Sequence, residues 1–281
     1  MITTGTPIEN HLGELWNLFR FINPGLLGSL QRFNQRFATP IEQDRDQQAR
    51  HRLRQLIKPF ILRRLKSDVL AELPPRTEID VRLELSAGEM ALYEALRREA
   101  VERLDKEGSQ AGAGHKRLLL LAEIMRLRRA CCHPSLALPG TDLPSAKLDA
   151  FAEIVDELLD NRHKALVFSQ FVDHLSLIRA HLDRRQIRYQ YLDGSTPEPQ
   201  RRAAVEAFQA GDGELFLISL RAGGAGLNLT AADYVIHMDP WWNPAVEDQA
   251  SDRAHRIGQE RPVTVYRLVA KDTIEERILK L

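Results

Sequence analysis

Residues 214–244 read "ELFLISLRAGGAGLNLTAADYVIHMDPWWNP". Two short apolar runs, LFLIS and YVIH, are bounded by polar and glycine-rich segments, the pattern of buried strands and not of long helices. The texture recurs on both sides. "KALVFSQ", "IRYQYLDG" and "PVTVYRLVA" are further β-rich runs, and "FVDHLSLIRAHLDRR", "PEPQRRAAVEAFQAG" and "PAVEDQASDRAHRIG" lie among them with helical periodicity. Strands alternating with helices predict an α/β fold, a parallel sheet with helices on both faces, from about residue 147 onward. Ligands of such sheets sit at the carboxyl ends of the strands. The polar clusters "SQF", "DGST", "SLRAGGAGLNLT" and "DPWWNP" follow the first four runs in turn, so they are predicted along one edge.

The first 150 residues read as mainly helical. Ile8, Leu12, Leu15, Trp16, Phe19 and Ile22 recur at helical spacing, and a charged helical stretch over 43–69 is interrupted at Pro59. "TEIDVRLEL" switches to period two, with Ile79, Val81, Leu83 and Leu85 alternating with charged residues, which predicts a strand with one buried face. Ser86 and Glu89 have capping-box spacing, so a helix is expected to start there. "EGSQAGAGH" (107–115) reads as a loop, and the next helix runs to the prolines after "CCHP".

Composition narrows the class. Of 281 residues, 43% are hydrophobic and 28% charged, as in a globular chain, and no apolar run approaches a membrane span. The start "MITTGTPIEN" has neither the basic nor the apolar part of a signal peptide. Two adjacent cysteines, Cys131 and Cys132, exclude a disulfide framework and point to a reducing, cytoplasmic setting. "CCHP" lacks the partners for tetrahedral zinc spacing, so no metal site is expected. Net charge is zero, +4 over 1–146 and −4 over 147–281, so any nucleic-acid contact must come from local patches. Arginine outnumbers lysine 31 to 8, which codon bias explains.

Each motif has a bland reading beside a chemical one. Glycines 223, 224 and 226 let a ligand approach the backbone, yet they also suit a tight turn. A dinucleotide-binding fingerprint fails, because the third glycine is missing and the loop follows the third strand. Ser169, Gln170, Gly194, Ser195 and Thr196 offer hydroxyl, amide and backbone donors suited to phosphate, or helix caps. Of Trp241 and Trp242, an extended backbone can bury one and expose the other beside Asn243, or both can pack inside. "RRLKSD" (63–68) is a basic cluster that suits nucleic acid or a solvated linker. In "EDQASDRAHRIGQERPV" (247–263), Arg253 and Arg256 are three apart and Gln249 is four before Arg253, so a helix would put them on one face. Arginine forks suit phosphate oxygens, but a solvated face, with Asp252 pairing to Arg256, is the plain alternative.

Together these motifs resemble the Swi/Snf-type DNA translocases of the superfamily-two helicases. "TGTPIENHLGELWNLFRFINPGLLGS" (4–29) resembles the third helicase motif and the helices after it. "LRRLKSDVLAELPPRTE" resembles the segment joining the two motor lobes. "LVFSQF", "YLDGST", "SLRAGGAGLNLTAADYVIHMDPWWNP" and "EDQASDRAHRIGQERPVTVYRLVAKDTIEERI" resemble motifs IV, IVa, V and VI, with Gln259 where DEAD-box RNA helicases carry arginine. Leu220 departs from the threonine common there, which puts one polar contact in doubt.

The resemblance implies a RecA-like sheet preceded by a mainly helical segment. Residues 1–75 would be the tail of the first lobe, a helical protrusion and a linker; 76–146 the start of the second lobe with a helical insertion; 147–281 the RecA-like second lobe. It implies ATP and Mg2+, held mainly by a first lobe whose phosphate loop and Asp-Glu pair do not occur in this sequence. A piece of a longer bacterial protein, or a mis-started reading frame, is therefore expected. Arg253 and Arg256 match the arginine fingers, and Gly224, Gly226, Gln249 and Asp252 would line the ATP cleft. Ser169, Gln170, Gly194, Ser195, Thr196, Arg221, Gly223, Trp242 and Asn243 would grip double-stranded DNA. Expected partners are the first lobe and a protein such as RNA polymerase or a repair factor, near the nucleoid and away from membranes. The alternative is a non-catalytic DNA- or protein-binding module.

Overall fold

The computed structural model describes residues 8, 11–62, 73–108, 113–222 and 227–280. The chain divides into two units, 1–72 and 73–281. The first is helical: α1 (Leu12–Ile22), α2 (Leu30–Phe33), a π turn (Asn34–Ala38), α3 (Thr39–Glu42) and α4 (Gln47–Ile57). Leu15, Trp16 and Phe19 share one face of α1 and pack with Phe33, Phe37 and Leu53. Ser29 caps α2 and Asp46 caps α4, supplying acceptors for amides that helix starts leave unpaired. Pro59 falls in a 3-10 turn just past α4, where the sequence placed its interruption. Ile8, expected on the first helix, lies outside α1 and is exposed. The basic cluster 63–68 lies outside the described residues.

The second unit is built on a six-stranded sheet in the order β1-β6-β5-β2-β4-β3. Its strands are β1 (Arg76–Leu83), β2 (Ala165–Ser169), β3 (Tyr189–Leu192), β4 (Leu215–Ser219), β5 (Tyr234–His237) and β6 (Val263–Ala270). Every neighbouring pair is parallel, which puts all carboxyl ends on one edge. Alternation sorts side chains to two cores. Leu166, Phe168, Phe216 and Ile218 pack toward α9 (Glu198–Gln209) and α10 (Pro244–Ser251), through Phe208 and Ala250. Ala165, Val167, Leu215 and Leu217 pack toward α7 (Ala146–Asp160) and α8 (Val172–Arg184), through Phe151, Val155, Leu175 and Ile178. Strands buried on both faces explain why LFLIS reads as a continuous apolar run. A short α11 (Ile274–Ile278) closes the unit.

Between β1 and α7 stand α5 (Ala87–Gly108) and α6 (Ala113–Cys132), which pack on each other. The capping box forms as expected, Glu89 N–H donating to Ser86 Oγ at 3.3 Å and Ser86 N–H to Glu89 Oε2 at 2.8 Å. The expected loop over 107–115 is shorter, because α5 continues to Gly108 and α6 starts at Ala113. Among the described residues strand β1 is an edge strand paired to β6; Ile79 is exposed, while Val81 and Leu83 reach the core. Among the described residues, no helix is long and apolar enough to cross a membrane.

The helix predicted over 244–258 stops at Ser251, and Arg253 and Arg256 stand on the turns that follow. The backbone carbonyls that would continue the helix are used elsewhere: Arg253 O accepts from Leu229 N–H at 3.0 Å and Ala254 O from Gln259 Nε2 at 3.1 Å. Gly258, at φ 95°, completes the turn in a conformation that favours glycine.

Candidate functional site

The four loops predicted along one edge follow β2, β3, β4 and β5, and parallel pairing places them together. After β2, Ser169 is buried: its hydroxyl donates to the Asp239 carboxylate and accepts from Phe171 N–H at 3.1 Å. This hydroxyl is therefore spent inside the loop, and Gln170 is the polar group nearer the surface.

After β3, Asp193 organises "DGST". It accepts Ser195 N–H at 2.8 Å, Ser195 Oγ at 2.7 Å, Tyr191 OH at 2.7 Å and Thr196 Oγ1 at 3.3 Å. The bonds from Ser195, joined by those from Tyr191 and Thr196, hold its carboxyl at about 2 against the opposing effect of burial. Both hydroxyls expected to meet a phosphate thus donate to Asp193, while Gly194 and Ser195 remain exposed. Asp193 is a further residue of the site, and its place between a strand and a glycine is the sequence signal for it.

After β4, Arg221 is exposed, while Gly223, Gly224 and Gly226 lie outside the described residues. After β5 the two tryptophans divide. Trp241 packs against the core and its backbone N–H donates to Glu247 Oε1 at 2.7 Å, whereas Trp242 is 43% exposed. Asn243 caps α10 through Oδ1, accepting from Ala245 N–H at 3.1 Å.

The arginine pair sits beside the loop after β4. Arg256 Nη1 donates to Leu227 O at 3.3 Å, and Leu229 N–H bonds the carbonyl of Arg253. Arg253 is 6% exposed, its Nε has no hydrogen-bond partner among the described residues, and burial together with the neighbouring Arg256 charge pushes its guanidinium pKa down. Two adjacent cations, one of them buried, favour an anion. Asp252, expected to pair with Arg256, lies 3.6 Å from Arg76 at the start of β1, which also reaches Asp248 at 2.7 Å. Gln249 is half-buried on α10. His255 Nε2 is bonded to Pro74 O at 2.8 Å, and Gln259 Nε2 gathers the carbonyls of Thr230, Ala232 and Ala254.

Behind the edge lies a buried trio, Cys132, His174 and Asp239, whose ligand-type atoms fall within 4.8 Å of one another. Its charge is already balanced. Asp239 accepts from Ser169 and from Gln170 N–H, and Arg128 stands 3.9 Å away. Burial pushes the Cys132 thiol pKa well up and the His174 pKa well down, and the nearby Lys147 ammonium opposes the first shift and adds to the second. A divalent ion there would face two resident cations, so the trio reads as packed polar core.

Models of two families match the chain: an SNF2-related domain over residues 1–136 and a helicase conserved C-terminal domain over residues 146–258. YwqA of Bacillus subtilis, named as a candidate ATP-dependent helicase/translocase, is 42% identical over 283 residues, covering 98% of this chain and 30% of YwqA. The human SWI/SNF-related matrix-associated actin-dependent regulator of chromatin subfamily A member 1 is 38% identical over 293 residues, covering 100% of this chain and 28% of that protein. The Sulfolobus solfataricus SWI2/SNF2 ATPase core in complex with dsDNA superimposes with a TM-score of 0.64 at 37% identity, over 99% of this chain and 59% of that one. The chain thus spans less than a third of the length of these two curated relatives.

Proposed function

We propose, on the premise that the chain belongs to the Swi/Snf-type helicase family, that it forms the second motor lobe of an ATP-dependent double-stranded DNA translocase. The observation that carries this reading is the arginine pair: Arg253, buried with an Nε unpartnered among the described residues, beside Arg256 and against the end of the β4 loop. These residues fit a nucleotide triphosphate. Mg2+-ATP, when bound, supplies the phosphoryl group whose hydrolysis drives the motor. Arg253 and Arg256 would face its γ-phosphate from across a cleft, donating to oxygens on which charge builds during transfer. The Arg76 bridge to Asp248 and Asp252 would hold the finger turn in place, and the first lobe would supply the phosphate loop, the Asp-Glu pair and the metal.

The edge loops would grip one strand of the duplex. Gly194, Ser195, Arg221 and Trp242 are exposed there, and Gln170 lies half-buried among them. Contacts to phosphate carry little sequence preference and strong salt dependence. Closure of the lobes on ATP and opening after hydrolysis would move the duplex stepwise.

The test is DNA-stimulated ATP hydrolysis by the full-length protein. Arg256→Ala is expected to lower turnover by about a thousandfold or more with duplex affinity retained. Lost DNA affinity with normal hydrolysis would reverse these roles. The 281-residue chain alone is expected to be inactive; DNA-stimulated turnover by it that survives Arg253→Ala would sink the assignment.

A further inference from the structure

We propose that Arg128, on the helical insertion, is a positioning residue for the duplex, acting through Gln170. This rests on the reading above, in which Gln170 meets the DNA backbone. Arg128 is 4% exposed near the end of α6. Its Nη1 donates to Gln170 Oε1 at 2.8 Å and its Nη2 to Pro240 O at 2.6 Å. The guanidinium stands 5.7 Å from the Phe171 ring and 5.4 Å from the Trp241 ring. One side chain therefore joins the loop after β2 to the loop after β5.

Asp239 already fixes the backbone of the first loop, through Ser169 and Gln170 N–H. What Arg128 adds is the orientation of the Gln170 amide. With Oε1 held, the group left over is Nε2, which is buried and has no partner among the described residues. A phosphate oxygen accepts hydrogen bonds and cannot donate one, so only the amide nitrogen serves it. To meet a phosphate, Nε2 must turn outward from this buried position while Oε1 stays on the guanidinium. Without the guanidinium the amide is free to flip, and the oxygen then faces the phosphate with repulsion. Two guanidinium nitrogens hold the two acceptors in one plane, and a lysine, with a single nitrogen, is not expected to reproduce that spacing.

The test is duplex binding by the full-length protein, followed by fluorescence anisotropy across a salt series, for Arg128→Lys, Arg128→Gln, Gln170→Ala and the double Arg128→Gln/Gln170→Ala. Each single change is expected to weaken binding about tenfold, and the double no more than either. The salt slope is expected to stay unchanged, because the contact is made by a neutral amide; an Arg128 that touched phosphate itself would lower it by about 0.9. If Arg128→Gln does not fold, Arg128→Lys takes its place in the double variant. A roughly hundredfold, additive loss in the double, a lowered salt slope, or wild-type affinity in Arg128→Lys would overturn the proposal while leaving Gln170 as a DNA contact. Wild-type affinity in Gln170→Ala would instead remove Gln170 from the DNA reading, and the proposal with it.

Discussion

Lys147 Nζ lies 2.7 Å from Glu275 Oε1, and neither side chain has any exposed surface. The pair ties the first turn of α7 to α11, across 128 residues of sequence. Both ions are further satisfied: Lys147 donates to Met238 O at 2.8 Å, and Glu275 Oε2 accepts Ala270 N–H at 2.8 Å. Removing one partner leaves the other charge buried and alone, which costs about 3–5 kcal/mol, whereas replacing both with apolar groups costs far less. Lys147→Met is therefore expected to lower unfolding free energy by about 3–5 kcal/mol in urea, and Lys147→Met/Glu275→Leu to recover most of it. A Lys147→Met protein within 1 kcal/mol of wild type would show the pair to be incidental.

Stability should fall with pH in a defined window. His237 is buried at the end of β5, stacked on Phe168 and bonded to Ser251 Oγ at 2.9 Å. Burial, with the charges of Arg267 and Arg76, pushes its pKa down to about 3. The folded pKa is below the unfolded one of about 6.5, so the contribution is fully present above pH 6.5 and is lost progressively between about 6.5 and 3 as the unfolded chain takes up the proton. The slope is about 1.4 kcal/mol per pH unit, or about 2 kcal/mol from pH 6.5 to 5. His174, also buried and shifted down, adds in the same direction. Urea midpoints at pH 7.5, 6 and 5 should fall more steeply for wild type than for His237→Gln. Parallel pH profiles for the two proteins would refute this.

The sheet was legible because its strands are buried on both faces: LFLIS and ALVFS are apolar at nearly every position, and glycine or polar loops bound them. Local pattern also located the Ser86–Glu89 cap, whose partners are three residues apart. It failed where distant groups take over backbone bonds. The arginines at 253 and 256 have helical spacing, but Leu229 and Gln259 claim the carbonyls a helix needs. Arg128 was invisible, since its partners are 42 and 112 residues away. In "DGST" the sequence leaves Ser195 and Thr196 open to phosphate or to capping, and only the folded turn brings both hydroxyls onto the Asp193 carboxylate.

Gln259 should govern the finger turn. Its Nε2 donates to Thr230 O at 3.2 Å, Ala232 O at 2.7 Å and Ala254 O at 3.1 Å, while Oε1 accepts Arg261 N–H at 2.9 Å. Gln259→Glu turns the shared donor into an acceptor facing three carbonyls, a buried mismatch worth about 1–3 kcal/mol or more. Thermal melts should show that loss, and amide exchange should quicken at Leu229, whose N–H bonds the Arg253 carbonyl. Unchanged exchange at Leu229 would separate Gln259 from the turn.

The adjacent tryptophans should separate stability from binding. Trp241 packs against the core beside Val246 and forms one wall of the Arg128 slot. Trp241→Ala removes that packing and is expected to cost about 3 kcal/mol, the low end for a large aromatic because the ring is only partly buried. Trp242, its ring centroid 5.9 Å from that of Trp241, is 43% exposed. Trp242→Ala should change unfolding free energy by less than about 0.5 kcal/mol, as exposed substitutions do. If its ring stacks on the duplex strand, the same change weakens DNA binding by about 1–3 kcal/mol. Urea melts and anisotropy on the two variants check both halves. Trp241→Ala should also weaken binding, because an Arg128 that loses one aromatic wall no longer holds the Gln170 amide. A Trp242→Ala protein that binds duplex normally while Trp241→Ala binds weakly would assign the grip to the amide and leave the exposed ring without a part in it.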